Sequence, residues 1–298
     1  MTIGVLLMAH GTPANTDEIE GFYTRIRRGR PPAPAQLAEL EGRYRAIGGV
    51  SPLAERTRAQ VDAVRAELDR RVPGRYVVSF GAKHTDPLIE EAAAALAAAD
   101  HEEVIGLVLT PHSSSMGSQE YLDRAAKELG STPFVAVGPW YGEPALVQLL
   151  ADRVREAIAT VPGRPRVIFT AHSLPERVRE QGDTYPEQLA DSARRVAEAA
   201  GLDEWDVAWQ SAGRTPEPWL GPDVRDEVRR LGAGGDIDVV VICPIGFVSD
   251  HLEVLYDLDV EVAGIAAESG LAYARTESLN DDPVFVGVLA DLIATAAP

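Results

Sequence analysis

The chain has 298 residues, 45% hydrophobic and 25% charged, a globular composition with room for roughly two domains and a well-buried core. Its formal charge of −18 creates a long-range field that repels nucleic acid and anionic membranes. A lone cysteine, Cys243, excludes disulfide frameworks, cysteine zinc sites and a four-cysteine iron–sulfur cluster within one chain, and fits a reducing cytoplasm.

The first expected strand is IGVLLMA (3–9). It is too short to cross a bilayer, it lacks a basic leader, and no later stretch approaches the ~18 apolar residues of a membrane span, so a soluble cytoplasmic protein without a stable membrane anchor is expected. RIRRGR (25–30) follows, four arginines in an acidic protein. It suits a helix C-terminus, where arginine offsets the dipole and Gly29 ends the helix before Pro31-Pro32, and it equally suits anion recognition. Only Lys83 and Lys127 are lysines, so arginine at any one place signals less than usual. RYRAIGGVSPL (43–53) offers a Gly-Gly turn for close backbone approach, with Arg43, Tyr44 and Ser51 as polar donors for a flat, carboxylate-bearing ligand. A helical pattern at 55–72 leads to strands at 76–82 and 103–109, and the turn-rich GPWYGEP (138–144) reads as a join. Beyond it come strands at 165–171, 205–211 and 238–244 and a helical pattern at 185–201.

Short, continuous apolar strands alternating with helices predict a doubly wound α/β protein with parallel sheets. The strand ends repeat. LLMAHGTP (6–13) resembles IFTAHSLP (168–175), GAKHTDP (81–87) resembles SAGRTPEP (211–218), and LTPHSSSMGS (109–118) resembles ICPIGFVSDH (242–251). Three pairs in the same order predict two similar domains, 1–143 and 144–298, with strand ends facing a central cleft. His10, His84, His112, His172 and His251 fall at or just after those ends, whereas His101 does not. His84 is read with His101 as a loop or backbone-satisfying histidine, whereas His172, in AHSLPE, is expected to project into the cleft from a stiff support. Without a G-x-S-x-G elbow, a Walker loop or G-x-G-x-x-G after a strand, serine hydrolysis and nucleotide chemistry are disfavoured.

The run DHLEVLYDLDVE (250–261) spaces Glu253, Asp257 and Glu261 at i, i+4 and i+8, one face of an α-helix. Residues 247–273 contain no basic side chain except His251. The row is therefore either a solvated face or a surface awaiting a cation, and nitrogen and carboxylate donors suit a first-row divalent ion held loosely or in transit.

YTRIRRGRPP, RYRAIGGVSPLA, AHSLPERVREQGDTYPEQL, WQSAGRTPEPWLGPDV and GFVSDHLEVLYDLDVE together resemble the signature stretches of ferrochelatases, in order along essentially the whole chain. The resemblance is greatest to the short, cluster-free, soluble Gram-positive type that inserts Fe²⁺ into coproporphyrin III. It implies two Rossmann-like domains in a class II chelatase-like fold, a porphyrin-contacting segment at 21–53, and a last helix able to pack back on the first domain. It also implies a catalytic pair of His172 and Glu253, metal handling by these with Asp257 and Glu261, and porphyrin contacts from His10, Arg27, Arg43, Tyr44, Ser51 and Tyr121. Fe²⁺ is then a substrate, no permanently bound cofactor is expected, and the coproheme product passes to a decarboxylase. The alternatives are a chelatase for protoporphyrin IX or another tetrapyrrole, for cobalt or nickel, or a non-catalytic haem- or metal-binding protein. One departure stands out: the first strand of this group usually ends in tyrosine, where this chain has His10.

From residue types alone, a neutral His172 accepts a proton near pH 7 or ligates iron, and the charges of Asp257 and Glu261 raise the proton affinity of Glu253.

Overall fold

The structure, a computed structural model, describes residues 2–297. The first half comprises β1 (Thr2–Ala9), α1 (Ile19–Ile26), α2 (Pro34–Ala46), α3 (Leu53–Arg71), β2 (Tyr76–Ala82), α4 (Ile89–Ala98), β3 (His101–Val108), α5 (Ser118–Leu129) and β4 (Phe134–Ala136). Then follow α6 (Pro144–Ala159), β5 (Pro165–His172), α7 (Arg177–Glu180), α8 (Tyr185–Ala200), β6 (Trp205–Gln210), α9 (Val224–Gly234) and β7 (Val239–Cys243). A π-helix (Glu253–Val262), α10 (Ala263–Glu268), β8 (Ala272–Arg275) and α11 (Pro283–Ala296) complete the chain.

The strands form two four-stranded parallel sheets, ordered β2-β1-β3-β4 and β6-β5-β7-β8. The second order is the first repeated, so the duplicated strand-end motifs occupy equivalent places. β4 and β8 were not expected from the sequence, because edge strands of 3 and 4 residues are too short to show a period.

Alternation along the central strands distributes each sheet between two cores. Ile3, Val5 and Leu7 of β1 and Val167, Phe169 and Ala171 of β5 share one large core with α3, α6, α8 and α11, which therefore joins the halves. Leu6 and Met8 point the other way onto α4 and α5, and Ile168 onto α9 and the π-helix. Burying each such aliphatic side chain contributes about 1.5–3 kcal/mol. α11 packs against α3 as well as α6, with Phe285 against Trp140 at 5.9 Å between ring centroids, and Arg71 of α3 donates to Asp291 at 2.5 Å. Gln60 of α3, fully buried, donates to Ser249 Oγ at 2.8 Å and to the Asn280 carbonyl at 2.7 Å. These contacts tie α3 of the first half to α11 and to the loops after β7 and β8 of the second.

Candidate functional site

The acid run forms a π-helix and not the expected α-helix. The Ala263 amide reaches back five residues to the Leu258 carbonyl. The wider turn keeps two adjacent stripes in register: Val254, Leu258 and Val262 are buried against the second sheet, and Glu253, Asp257 and Glu261 line a cavity of about 340 Å³. Long π-helical stretches are rare and cluster at functional sites. Gly246 makes room for the approach to this helix. Its amide donates to the Thr170 carbonyl at 3.1 Å, and a Cβ there would lie 2.8 Å from Ala171 Cα, beside His172.

His172 ends β5. Its Nδ1 lies 2.5 Å from the Ser173 carbonyl, which can only accept, so Nδ1 carries hydrogen and Nε2 is the free ring position. Nε2 faces Glu253 Oε1 at 3.6 Å. Ser173 turns inward and donates to the Leu220 carbonyl at 2.8 Å, so no serine–histidine pair forms. Glu253 is held from three sides: its carbonyl accepts from Gln210 Nε2 at 3.1 Å, and its carboxylate lies between His172 and His251, the latter at 3.8 Å.

This geometry reverses two expectations about protons. Burial pushes His172 down, but the charge and hydrogen bond of Glu253 outweigh it and raise the imidazole to about 9. Burial pushes Glu253 up, but the two flanking imidazoles hold it well below the ordinary carboxylate range. His172 and Glu253 therefore form an imidazolium–carboxylate pair at pH 7, and His172 is not neutral there. The raised proton affinity falls instead on Asp257. It is 6% exposed, and burial together with the charge of Glu253 lifts its carboxyl to about 6. Ser211, at a left-handed φ of 59° uncommon for a side-chain-bearing residue, donates to Asp257 at 2.5 Å.

The row is also not unpaired. Arg43 from α2 lies 3.5 Å from Asp257 and over the Tyr256 ring at 5.1 Å, and Arg225 lies 3.9 Å from Glu261. Counting bases within the run itself could not reveal partners supplied from other elements.

His10 mirrors His172. It directly follows β1, one residue beyond the strand that His172 itself ends in β5, and its Nδ1 likewise faces the next carbonyl, of Gly11, at 3.2 Å. Two equivalent strand ends thus carry an imidazole, and the charge of Glu253 acts on both. His10 is open on one side and ringed by protein on the others; that desolvation lowers its pKa while the charge of Glu253 opposes the shift. Its ring packs against His84 at 4.8 Å and Phe22 at 6.0 Å.

The other expected ligand contacts are dispersed along the first-domain wall. Arg27 caps α1, donates from Nε to the Arg30 carbonyl at 3.3 Å and stacks on Tyr23, while Gly29, with φ of 83°, turns the chain away. Tyr44 is buried with its hydroxyl 3.4 Å from Thr12 Oγ1, and Ser51 accepts from the Leu53 amide at 3.3 Å, where it caps α3. Tyr121 is buried in the core beside α4 with Lys83 Nζ 5.1 Å from its ring centroid. His112 departs from the cleft reading: it is 2% exposed, stacked on Tyr141, and desolvation lowers it to about 3. Among the described residues no group of three or more histidine, cysteine or acidic side chains is arranged to hold an ion unaided. Gln210, Ser211, Arg214 and Arg225 line the same cavity and had no local sequence signal beyond WQSAGRT and PDVRD.

The model of the ferrochelatase family matches residues 2–297. Coproporphyrin III ferrochelatases from Geobacillus kaustophilus and Bacillus subtilis are each 43% identical to the chain over 98% of its length, covering 95% and 96% of theirs. Among solved structures, Bacillus subtilis SirB with Fe³⁺ superposes with a TM-score of 0.64 at 14% identity, covering all of this chain and 96% of that one. CbiX, the terminal enzyme of siroheme biosynthesis in denitrifying bacteria, gives 0.55 at 17% identity, over 99% of this chain and 100% of that one. At such identities the likeness is one of fold: both halves share the class II chelatase arrangement.

A divalent ion must displace the His172 proton to bind the pair. Zn²⁺ affinity, measured by competition with a fluorescent chelator in the absence of porphyrin, is expected to rise about tenfold per pH unit between pH 6.5 and 8.0, because that range lies below the raised His172 value of about 9. An affinity flat across this window contradicts a protonated His172.

Proposed function

The chain belongs to the ferrochelatase family, metal chelatases of the lyase class, and on that premise we propose that it inserts Fe²⁺ into coproporphyrin III, yielding coproheme and two protons in haem biosynthesis. The observation that carries this reading is the His172–Glu253 pair, 3.6 Å apart and about one-third exposed, with Glu253 lining a cavity that Arg43 of the first half also lines. Metal insertion needs a metal ligand with a proton acceptor beside it, and the pair supplies both residue types.

In this mechanism Fe²⁺ enters past Glu261 and Asp257 and exchanges hydration water for carboxylate oxygen. Glu253, ionised throughout, receives the metal. The incoming dication repels the proton on His172 and drives it to solvent, which leaves a neutral Nε2. Nε2, released as iron passes from the pair into the ring, then accepts one pyrrole N–H proton, and the other pyrrole proton passes to solvent water. Rigid walls from both domains favour a bent macrocycle, which is closer to the transition state than a flat one. The arginines at 25–30, Arg27 among them, supply contacts to the porphyrin carboxylates, and the buried Tyr44, Ser51 and Tyr121 back the wall against which the ring lies. Arg43, expected to contact the porphyrin, has its guanidinium resting on Asp257. The same proposal places the reaction in the cytoplasm and passes coproheme to a decarboxylase; no helix among the described residues is long and apolar enough to cross a membrane.

Zn²⁺ insertion into coproporphyrin III, followed by porphyrin fluorescence, tests the activity directly and separates a chelatase from a carrier. Multiple turnovers are expected from the wild type, and a loss of at least about 100-fold in kcat from His172→Ala and from Glu253→Gln, with porphyrin binding retained. Stoichiometric binding without turnover in the wild type supports a carrier, and near-normal turnover in either variant removes that residue from the pair.

His10, which stands after β1 where His172 stands at the end of β5, is proposed as the axial nitrogen of the product iron. Wild-type coproheme complex is expected to show a histidine-ligated absorption spectrum, His10→Tyr a phenolate-type one, and His10→Ala neither, with insertion largely kept. Identical spectra for wild type and His10→Ala return His10 to a packing role against His84 and Phe22.

A further inference from the structure

Arg43 covers the most buried acid of the row, and its own position is contested. Its Nη1 lies 3.5 Å from Asp257 and its Nη2 3.3 Å from Glu39, one turn earlier on α2. Glu39 is in turn claimed by Arg214, whose two terminal nitrogens both donate to its two carboxylate oxygens. The result is a chain of alternating charge, Arg214–Glu39–Arg43–Asp257. It begins in the loop after β6, crosses to α2 of the first domain and returns to the π-helix of the second. Arg43 and Arg214 both line the cavity that holds the acid row.

A divalent ion reaching Asp257 meets this arrangement first. The carboxylate has few alternatives to Arg43, since it is 6% exposed and its other partner is the Ser211 hydroxyl. Metal and guanidinium compete for the same oxygens, so the free energy of moving Arg43 aside is part of the cost of metal entry. That cost depends on what Arg43 moves towards. Glu39 is the available acceptor, and Arg214 occupies it with a two-point contact that is geometrically superior to the one Arg43 makes. We propose that Glu39 and Arg214 are positioning residues for metal entry, which set how firmly Arg43 covers Asp257. The proposal rests on the reading of Glu261 and Asp257 as the metal's route.

The chain of alternating charge gives the two residues opposite effects. Without the Glu39 carboxylate, Arg43 has only Asp257, and the cover tightens. Without the Arg214 guanidinium, Glu39 turns its full charge on Arg43 and draws it off Asp257, and the cover loosens. Both residues are solvent-exposed side chains in surface pairs, so their substitution leaves the cores intact. Neither touches His172 or Glu253.

Zn²⁺ is the probe, with steady-state insertion into coproporphyrin III measured against metal concentration at low salt. Glu39→Gln is expected to raise the apparent metal KM about threefold and Arg214→Gln to lower it about threefold, with kcat unchanged in both, a size typical of partly exposed charge pairs. Both shifts should shrink in 0.5 M KCl, which screens exposed pairs and would not affect a merely structural defect. Asp257→Asn serves as the reference for the route itself and should raise the same KM. If Asp257→Asn raises KM while Glu39→Gln and Arg214→Gln leave it unmoved or shift it in the same direction, the positioning role is overturned and the route stands. If Asp257→Asn also leaves KM unmoved, the route is overturned, and this inference with it.

Discussion

The contact between His172 Nε2 and Glu253 Oε1, 3.6 Å long, is the interaction on which the rest of the structure depends. Two opposite charges held partly out of water are stable only while each has the other and while their remaining polar positions are satisfied. Here the Ser173 carbonyl satisfies His172 Nδ1, Gln210 holds the Glu253 backbone, and His251 flanks its second oxygen. Each support comes from a different strand end of the second sheet, so the pair requires that sheet's order. A metal ion replaces the proton in this arrangement and leaves the carboxylate where it was. That exchange converts the pair from an ion pair into a ligand and a base.

The duplicated architecture explains why a second imidazole stands ready. β1 and β5 take the same position in their sheets and end in the same motif, with the ring nitrogen of each histidine turned to the carbonyl that follows. Divergence lies in what surrounds them. His172 has Glu253, and its pKa rises; His10 has His84 and Phe22, and its pKa falls. One site therefore favours a proton or a cation, and the other a neutral donor. The halves specialise through neighbours rather than through backbone.

Much of this was legible in the sequence, for identifiable reasons. The doubly wound class follows from fully buried strands such as IGVLLMA, and the repeat from strand ends whose chemistry is shared between halves. His172 stood out by its strand-end position and Glu253 by its place in the spaced acid row, whereas their pairing as catalytic residues followed from family resemblance. Four features were hidden. The π-helix was not legible, because Glu253, Asp257 and Glu261 share a side in either helical form and the apolar stripe of Val254, Leu258 and Val262 does too. The arginine cover was not, because Arg43 precedes Asp257 by 214 residues. His112 was misplaced because a strand-end position says which end of the sheet a residue occupies and not whether the adjoining loop folds over it; here Tyr141 and Tyr185 enclose the ring. Proton affinities failed for the same reason as the arginine cover: they are sums over neighbours that the local sequence does not contain.

The central claim is that metal and porphyrin meet at His172 and Glu253. Anomalous diffraction from crystals soaked in Co²⁺ without porphyrin locates the ion independently of any activity. A peak is expected within ligating distance, about 2.0–2.2 Å, of both His172 Nε2 and a Glu253 carboxylate oxygen, with weaker density along Asp257 and Glu261. Full-occupancy metal held by His10 and His84, with His172 and Glu253 still paired to one another, contradicts it.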